Sequence, residues 1–144
     1  MALCLSCLQA CVQAPIAEID QTPKKPMVEL RNTDWRLVEL GGVAPPTAPN
    51  PSLELRITLR SEGARVDGFS GCNRFSGGYV LEGAQSLRFT PLAGTRMACE
   101  PPRMELEGQV HTMLAAVTAY RVEGERLTLL AGGRVLARLA APER

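Results

Sequence analysis

Lysine is almost missing from this 144-residue chain: Lys24 and Lys25 are the only two, and the other basic residues are arginines scattered without a stripe or patch. With a formal net charge of +1 there is no electrostatic footprint for a polyanion, so no nucleic-acid partner is expected. Histidine is scarcer still. His111 stands alone, which argues against an imidazole-based metal centre and against a cysteine–histidine nucleophile. Neither a metal nor any other cofactor is expected. Aromatic residues make up only 4% of the chain, so the few present are needed to fill a core. The apolar content of 45% is ordinary, which excludes both global disorder and a membrane bundle.

Cysteine, by contrast, is plentiful for so small a chain. Cys4, Cys7 and Cys11 crowd the first eleven residues, while Cys72 and Cys99 stand far apart in the middle. A leader followed by an oxidised domain accounts for that split. Residues 1–11 are apolar and uncharged, too short to span a bilayer. Leu8-Gln9-Ala10-Cys11 resembles a bacterial lipobox, although a basic n-region is missing and the apolar run is short. On that reading Cys11 is lipidated and becomes the mature N-terminus. Val12 in the next position favours the outer membrane, with the domain facing the periplasm; otherwise the protein is secreted. The membrane is then one partner, reached through the acyl chains. Residues 12–31, with Pro15, Pro23 and Pro26 and no sustained period, read as a flexible tether, and residues 32–141 as one folded domain.

Within that domain the cleanest strand signal is 53–60, where Leu53, Leu55, Ile57 and Leu59 alternate with Glu54, Arg56, Thr58 and Arg60. Residues 35–40 read as an earlier strand with Trp35, Leu37 and Glu39 on one face, and the proline-rich 41–52 as a surface loop. Further strands are expected at 64–69, 78–82, 86–90, 119–123, 126–130 and 134–139, the last two joined at Gly132-Gly133. Pro101 and Pro102 suit a helix start, and Leu106, Val110, Met113, Leu114 and Val117 form one stripe at helical period. Gly108 interrupts that helix, which close packing against a sheet would explain. The fold class is mainly β (α+β): an antiparallel, strongly curled, partly open β-barrel of about eight strands capped by one helix.

Two stretches organise the rest. In 66–79, Gly68, Gly71, Gly77 and Gly78 alternate with Phe69, Phe75 and Tyr79, the mix a backbone needs to bend sharply while rings enter a core. The second stretch, 92–99, carries the other cysteine. The run Gly71-Cys-Asn-Arg-Phe-Ser-Gly77, then Tyr79, then Thr95-Arg-Met-Ala-Cys99, then a helix with Met104 and Glu107, strongly resembles the META domain, the HslJ-like family of heat-inducible bacterial envelope lipoproteins. Trp35-Arg-Leu and Leu127-Thr-Leu also fit, so the resemblance covers residues 31–140. It implies a small conical or partly open barrel closed by a helix, in secreted or lipid-anchored proteins similar in fold to lipoproteins that pilot secretion components. It also implies association with motility, secretion or stress tolerance, and no enzymatic activity.

For Cys72 and Cys99 a nucleophile or metal site is weighed against a disulfide, and the disulfide is favoured in an oxidising envelope; closing that loop contributes roughly 3–4 kcal/mol in the chain-entropy model. Asn73 is expected to fix the glycine-rich turn through side-chain to backbone bonds or a left-handed backbone. Arg74 and Arg96 either satisfy nearby carbonyls and carboxylates or form a patch for an anionic lipid or partner. Phe69, Phe75, Tyr79 and Phe89 are expected in the core, as is the helix stripe, which could instead open a groove for an acyl chain or a partner helix. The functional expectation is a non-enzymatic envelope lipoprotein with a binding or assembly role in stress tolerance or secretion, its envelope protein or lipid partner unknown. The alternatives are a carrier of lipid or hydrophobic peptide through the barrel interior and, behind it, a thiol enzyme.

Overall fold

The computed structural model describes residues 27–144; Cys11, the leader and the tether up to residue 26 lie outside the described residues. The strands are β1 (Asp34–Leu40), β2 (Arg56–Leu59), β3 (Arg65–Phe69), β4 (Arg74–Glu82), β5 (Ser86–Phe89), β6 (Ala93–Gly94), β7 (Ala119–Glu123), β8 (Arg126–Ala131) and β9 (Arg134–Ala140), with the helix α1 (Pro101–Ala116) between β6 and β7. The strand order β3-β2-β1-β9-β8-β7-β5-β4 closes on itself because β4 also pairs β3, and β6 lies along β4 outside that ring. The result is an antiparallel eight-stranded barrel with one helix. Its thinnest seam joins β5 to β7 through the pair Ser86↔Ala119, with Leu87 N donating to Thr118 O and Tyr120 N to Gln85 O. A sequence that reads as a partly open barrel thus closes, but only just.

Four local details depart from the sequence reading. Leu53 falls in a short 3₁₀ turn, Pro51–Leu53, whose first free amide Asn50 caps (Ser52 N to Oδ1, 3.0 Å), so β2 begins at Arg56. In β1 the pairing with β9 jumps from Leu37↔Leu139 to Glu39↔Arg138. That bulge at Val38 turns Leu40 rather than Glu39 toward the core, and Glu39 pairs with Arg138 outside. The glycine-rich stretch is itself strand from Arg74 onward, and β6 has too few residues to show a period. The domain also starts before residue 32. Leu30 is buried, its carbonyl accepts from Trp35 Nε1 at 2.9 Å, and Arg31 bridges to Leu59.

Away from the bulges, inward and outward positions alternate along the ring strands, as closure of a small barrel demands. Trp35, Leu59, Val66, Leu87, Leu127 and Leu129 are fully buried, with Phe75 and Tyr79 beside them. Each such side chain contributes about 1.5–3 kcal/mol of burial. Val110, Met113 and Leu114 of α1, and Val117 at its C-cap, complete the same cluster, so the expected helix stripe is core and the barrel interior is filled. Gly108 is exposed and an added Cβ there meets nothing within 4 Å, so close packing does not explain it.

Candidate functional site

The connections β1–β2 and β3–β4 emerge at one end of the barrel, and the first turns of α1 are fastened there. Gly71 sits in the β3–β4 connection at φ 109°, a backbone open to glycine and strained for other residues. That bend aims Cys72 at Cys99, and the two form a disulfide with Cα atoms 6.0 Å apart. Both thiols are therefore consumed.

Asn73, 3% exposed, is the hub of a polar clamp. Its Nδ2 donates to Met97 O (3.2 Å) and Glu107 Oε1 (3.0 Å), while its Oδ1 accepts from Met97 N (2.7 Å) and Thr95 Oγ1 (2.9 Å). Two donors and two acceptors are all the side chain offers, and all are satisfied. Its backbone N–H donates to Glu107 Oε2 at 2.7 Å, and its carbonyl accepts from Ser70 N at 3.0 Å. The Ser70 hydroxyl lies 3.1 Å from both the Asn73 carbonyl and Glu107 Oε2, and Arg103 Nε donates to Gly71 O at 2.9 Å. One asparagine thus ties the β3–β4 connection, the segment before α1 and the helix itself. Its long-range backbone bonds, rather than a left-handed turn, fix the bend; Asn32 and Ala64 are the non-glycine residues at positive φ among the described residues.

Glu107 is the group whose ionisation this clamp perturbs. Partial burial alone raises its pKa, but hydrogen bonds from the Asn73 side chain and backbone and from Ser70, with His111 one turn on, outweigh it and hold the carboxyl below its ordinary value. His111 packs its ring edge-on to Phe75, centroids 5.3 Å apart. Held in the disulfide, Cys99 forms no nucleophilic dyad with His111. Among the described residues no three histidine, cysteine, aspartate or glutamate side chains converge to hold a metal ion.

The barrel's outer face carries the second feature. Strand register puts Asp34, Thr58, Asp67, Ser76 and Ala93 in one outward row across five strands, and Arg56, Phe69 and Arg74 in the next. Thr95 continues that second row, its N–H donating to Arg74 O at 3.0 Å. The two rows floor a groove of about 860 Å³. Phe69 is half-buried there, outside the core cluster where the sequence put it, because Gly68 takes the inward position. A Cβ on Gly68 would lie 2.3 Å from Phe75 Cζ, so the glycine makes room for that ring. Gly77 stands opposite Val66 with the Leu92 side chain over it. A second, apolar cavity of about 330 Å³ lies between the proline loop and Pro102, Arg103 and Leu106 of the helix.

Most of the sequence-predicted residues meet at the clamp: Gly71, Cys72, Asn73, Thr95 and Cys99 directly, with Phe75 beneath and Gly77 further along β4. Arg74 and Arg96 do not meet there. Neither guanidinium has a hydrogen bond or ion pair among the described residues; Arg74 lines the groove and Arg96 is exposed elsewhere. Sequence reasoning gave no role to Glu107, Arg103 or Ser70, which are separated by more than thirty positions from their partners or themselves carry no motif signal. Of the three, only Glu107 stood out, as part of the resemblance.

Barrel, plugging helix and sulfur-stapled clamp define a class of small, closed, antiparallel domains in which one helix is locked over a barrel end. A META-domain family model matches residues 28–143, and the chain belongs to the META-domain family. It is similar to a protein from Burkholderia xenovorans solved by NMR, with a TM-score of 0.61 and 28% identity over 80% of this chain and 85% of that one. A second NMR structure is similar at a TM-score of 0.57 and 28% identity, covering 78% of this chain and 94% of the other. No curated protein matches the chain.

Proposed function

We propose that this META domain is a non-enzymatic binding or assembly module of the bacterial cell envelope, anchored by lipid on Cys11 and serving stress tolerance or secretion. The observation that carries the reading is where the motif residues go. Both cysteines are in the disulfide and every polar valence of Asn73 is spent internally, so the chemistry-bearing motif is a structural clamp. What remains for a partner is surface, chiefly the outer groove. A disulfide in so small a domain fits an oxidising compartment. The interior-carrier reading has little to support it, because the described core is packed with the protein's own side chains.

Two measurements test this. Labelled palmitate should enter the full-length protein and Cys11→Ala should release it from membranes; an unlabelled protein that fractionates identically removes the anchor. A photo-crosslinking residue in place of Ser76, in the groove, should give a discrete adduct in cells that the same residue in place of exposed Val80 does not. Equal adducts at both positions contradict a binding role for this face.

A further inference from the structure

The groove has a composition that barrel stability does not explain. Four guanidiniums (Arg56, Arg60, Arg65 and Arg74) face two carboxylates (Asp34 and Asp67), an excess of two positive charges in a chain whose whole net charge is +1. Asp67 is shared by Arg65 at 2.9 Å and Arg60 at 3.4 Å, and Asp34 holds Arg56 at 3.1 Å. Arg74 has no ion pair among the described residues. Arg56 is further fixed by the Pro51 carbonyl, so its guanidinium is oriented before any ligand arrives. Thr58, outward-facing yet only 8% exposed, and Ser76 put hydroxyls on the floor.

Between Arg56 and Arg74 lies Phe69, paired in register with both. Directly opposed residues on one sheet face stand about 4.5–5.5 Å apart at Cβ. A half-exposed ring set between two cations is a platform for a flat group, and a free guanidinium beside it is a fork for an oxyanion. The volume, about 860 Å³, falls in the range of roughly 300–1,000 Å³ usual for small-molecule sites.

We propose that the groove across β1–β4 and β6 binds a small organic oxyanion, a carboxylate or phosphate ester carrying a flat ring, with the ring against Phe69 and the anion on Arg74. The proposal deepens the binding role argued above and rests on it, by naming the ligand class of that face. Arg56 supplies the second cation and Ser76 a neutral hydrogen bond, while Thr58 spends its hydroxyl proton on Asp34 Oδ1 at 3.3 Å and steadies that carboxylate.

The test is a titration of ¹⁵N-labelled oxidised protein, residues 27–144 included, with phenyl phosphate, benzoate, inorganic phosphate and benzylamine. Phenyl phosphate or benzoate should shift the amides of Phe69, Arg74 and Ser76, and whichever binds tighter separates a phosphate site from a carboxylate site. The ring should improve affinity about tenfold over inorganic phosphate, an advantage that Phe69→Ala removes. Arg74→Gln should weaken binding about ten- to hundred-fold, and Arg74→Lys should recover only part of it. Spectra of the variants that overlay on the wild type away from the groove exclude unfolding as the cause; Arg74 is exposed, so its replacement leaves the fold intact. Overturning results are no localised shifts with either ring anion, equal shifts with benzylamine, or unchanged affinity in Arg74→Gln. If those occur while the Ser76-position crosslink still forms, the anion site is wrong and the binding role stands.

Discussion

Replacing Glu107 with glutamine tests the clamp at its one charged member. The carboxylate accepts the Asn73 N–H at 2.7 Å and the Asn73 Nδ2 at 3.0 Å, with the Ser70 hydroxyl 3.1 Å away. Glutamine keeps one oxygen but sets an NH₂ group against a donor. Asn73 cannot turn over to meet it without losing Met97 and Thr95. Bonds to an ionised group contribute about 1.5–3 kcal/mol each, reduced here because Glu107 is partly exposed, so the loss should be about 2–3 kcal/mol. For a domain of this size that lowers the melting temperature by about 10 °C. The pH dependence has a definite sign. The folded pKa lies below the unfolded one, so the ionised carboxylate's stabilisation is complete above the unfolded pKa and disappears as pH falls through the folded pKa. Wild type and Glu107→Gln should therefore diverge at neutral pH and converge in acid. Urea midpoints across that range are the assay. Equal stability at neutral pH, or a gap that persists undiminished in strong acid, would refute the reasoning.

Three further perturbations probe separate parts of the fold. Replacing Cys72 and Cys99 by serine opens a loop of sequence separation 27 and should cost roughly 3–4 kcal/mol in urea denaturation; an unmoved midpoint contradicts a structural disulfide. Gly108→Ala puts a methyl into open space on an exposed helix position and should stabilise by up to about 1 kcal/mol, read as a rise in melting temperature. Gly68→Ala drives a Cβ to 2.3 Å from Phe75 Cζ and 2.6 Å from the Arg56 carbonyl, and should cost about 1–3 kcal/mol or more; a neutral calorimetric result would mean the ring and strand can shift freely.

What the sequence made legible follows a physical line. Period-2 and period-3.6 patterns are local, so six of the eight ring strands and the helix stripe could be read within a residue or two, β2 and β4 apart. The bulge at Val38 could not, because its cause is the register against β9, a hundred positions away. Phe69 was misread as core because an aromatic in a glycine-rich run gives no sign of which neighbour faces inward; Gly68 and Phe75 settle it only once paired. Asn73 announced a constrained bend, but its partners Met97 and Glu107 are 24 and 34 positions on, beyond any turn rule. The groove was invisible for the same reason. Its arginines look scattered along the chain and gather only when β2, β3 and β4 lie side by side.

The claim on which the rest depends is that the polar motif residues at the barrel end hold the helix rather than perform chemistry. The amides of Asn73 and Met97 donate only into side chains of the clamp, to Glu107 and Asn73, and into no strand ladder. Native-state hydrogen exchange at those two amides, in oxidised protein near neutral pH, measures the clamp directly. Protection of about a thousandfold or more, falling sharply in Glu107→Gln, is the predicted result. Exchange at the rate of an open loop, with the barrel strands still protected, would contradict it.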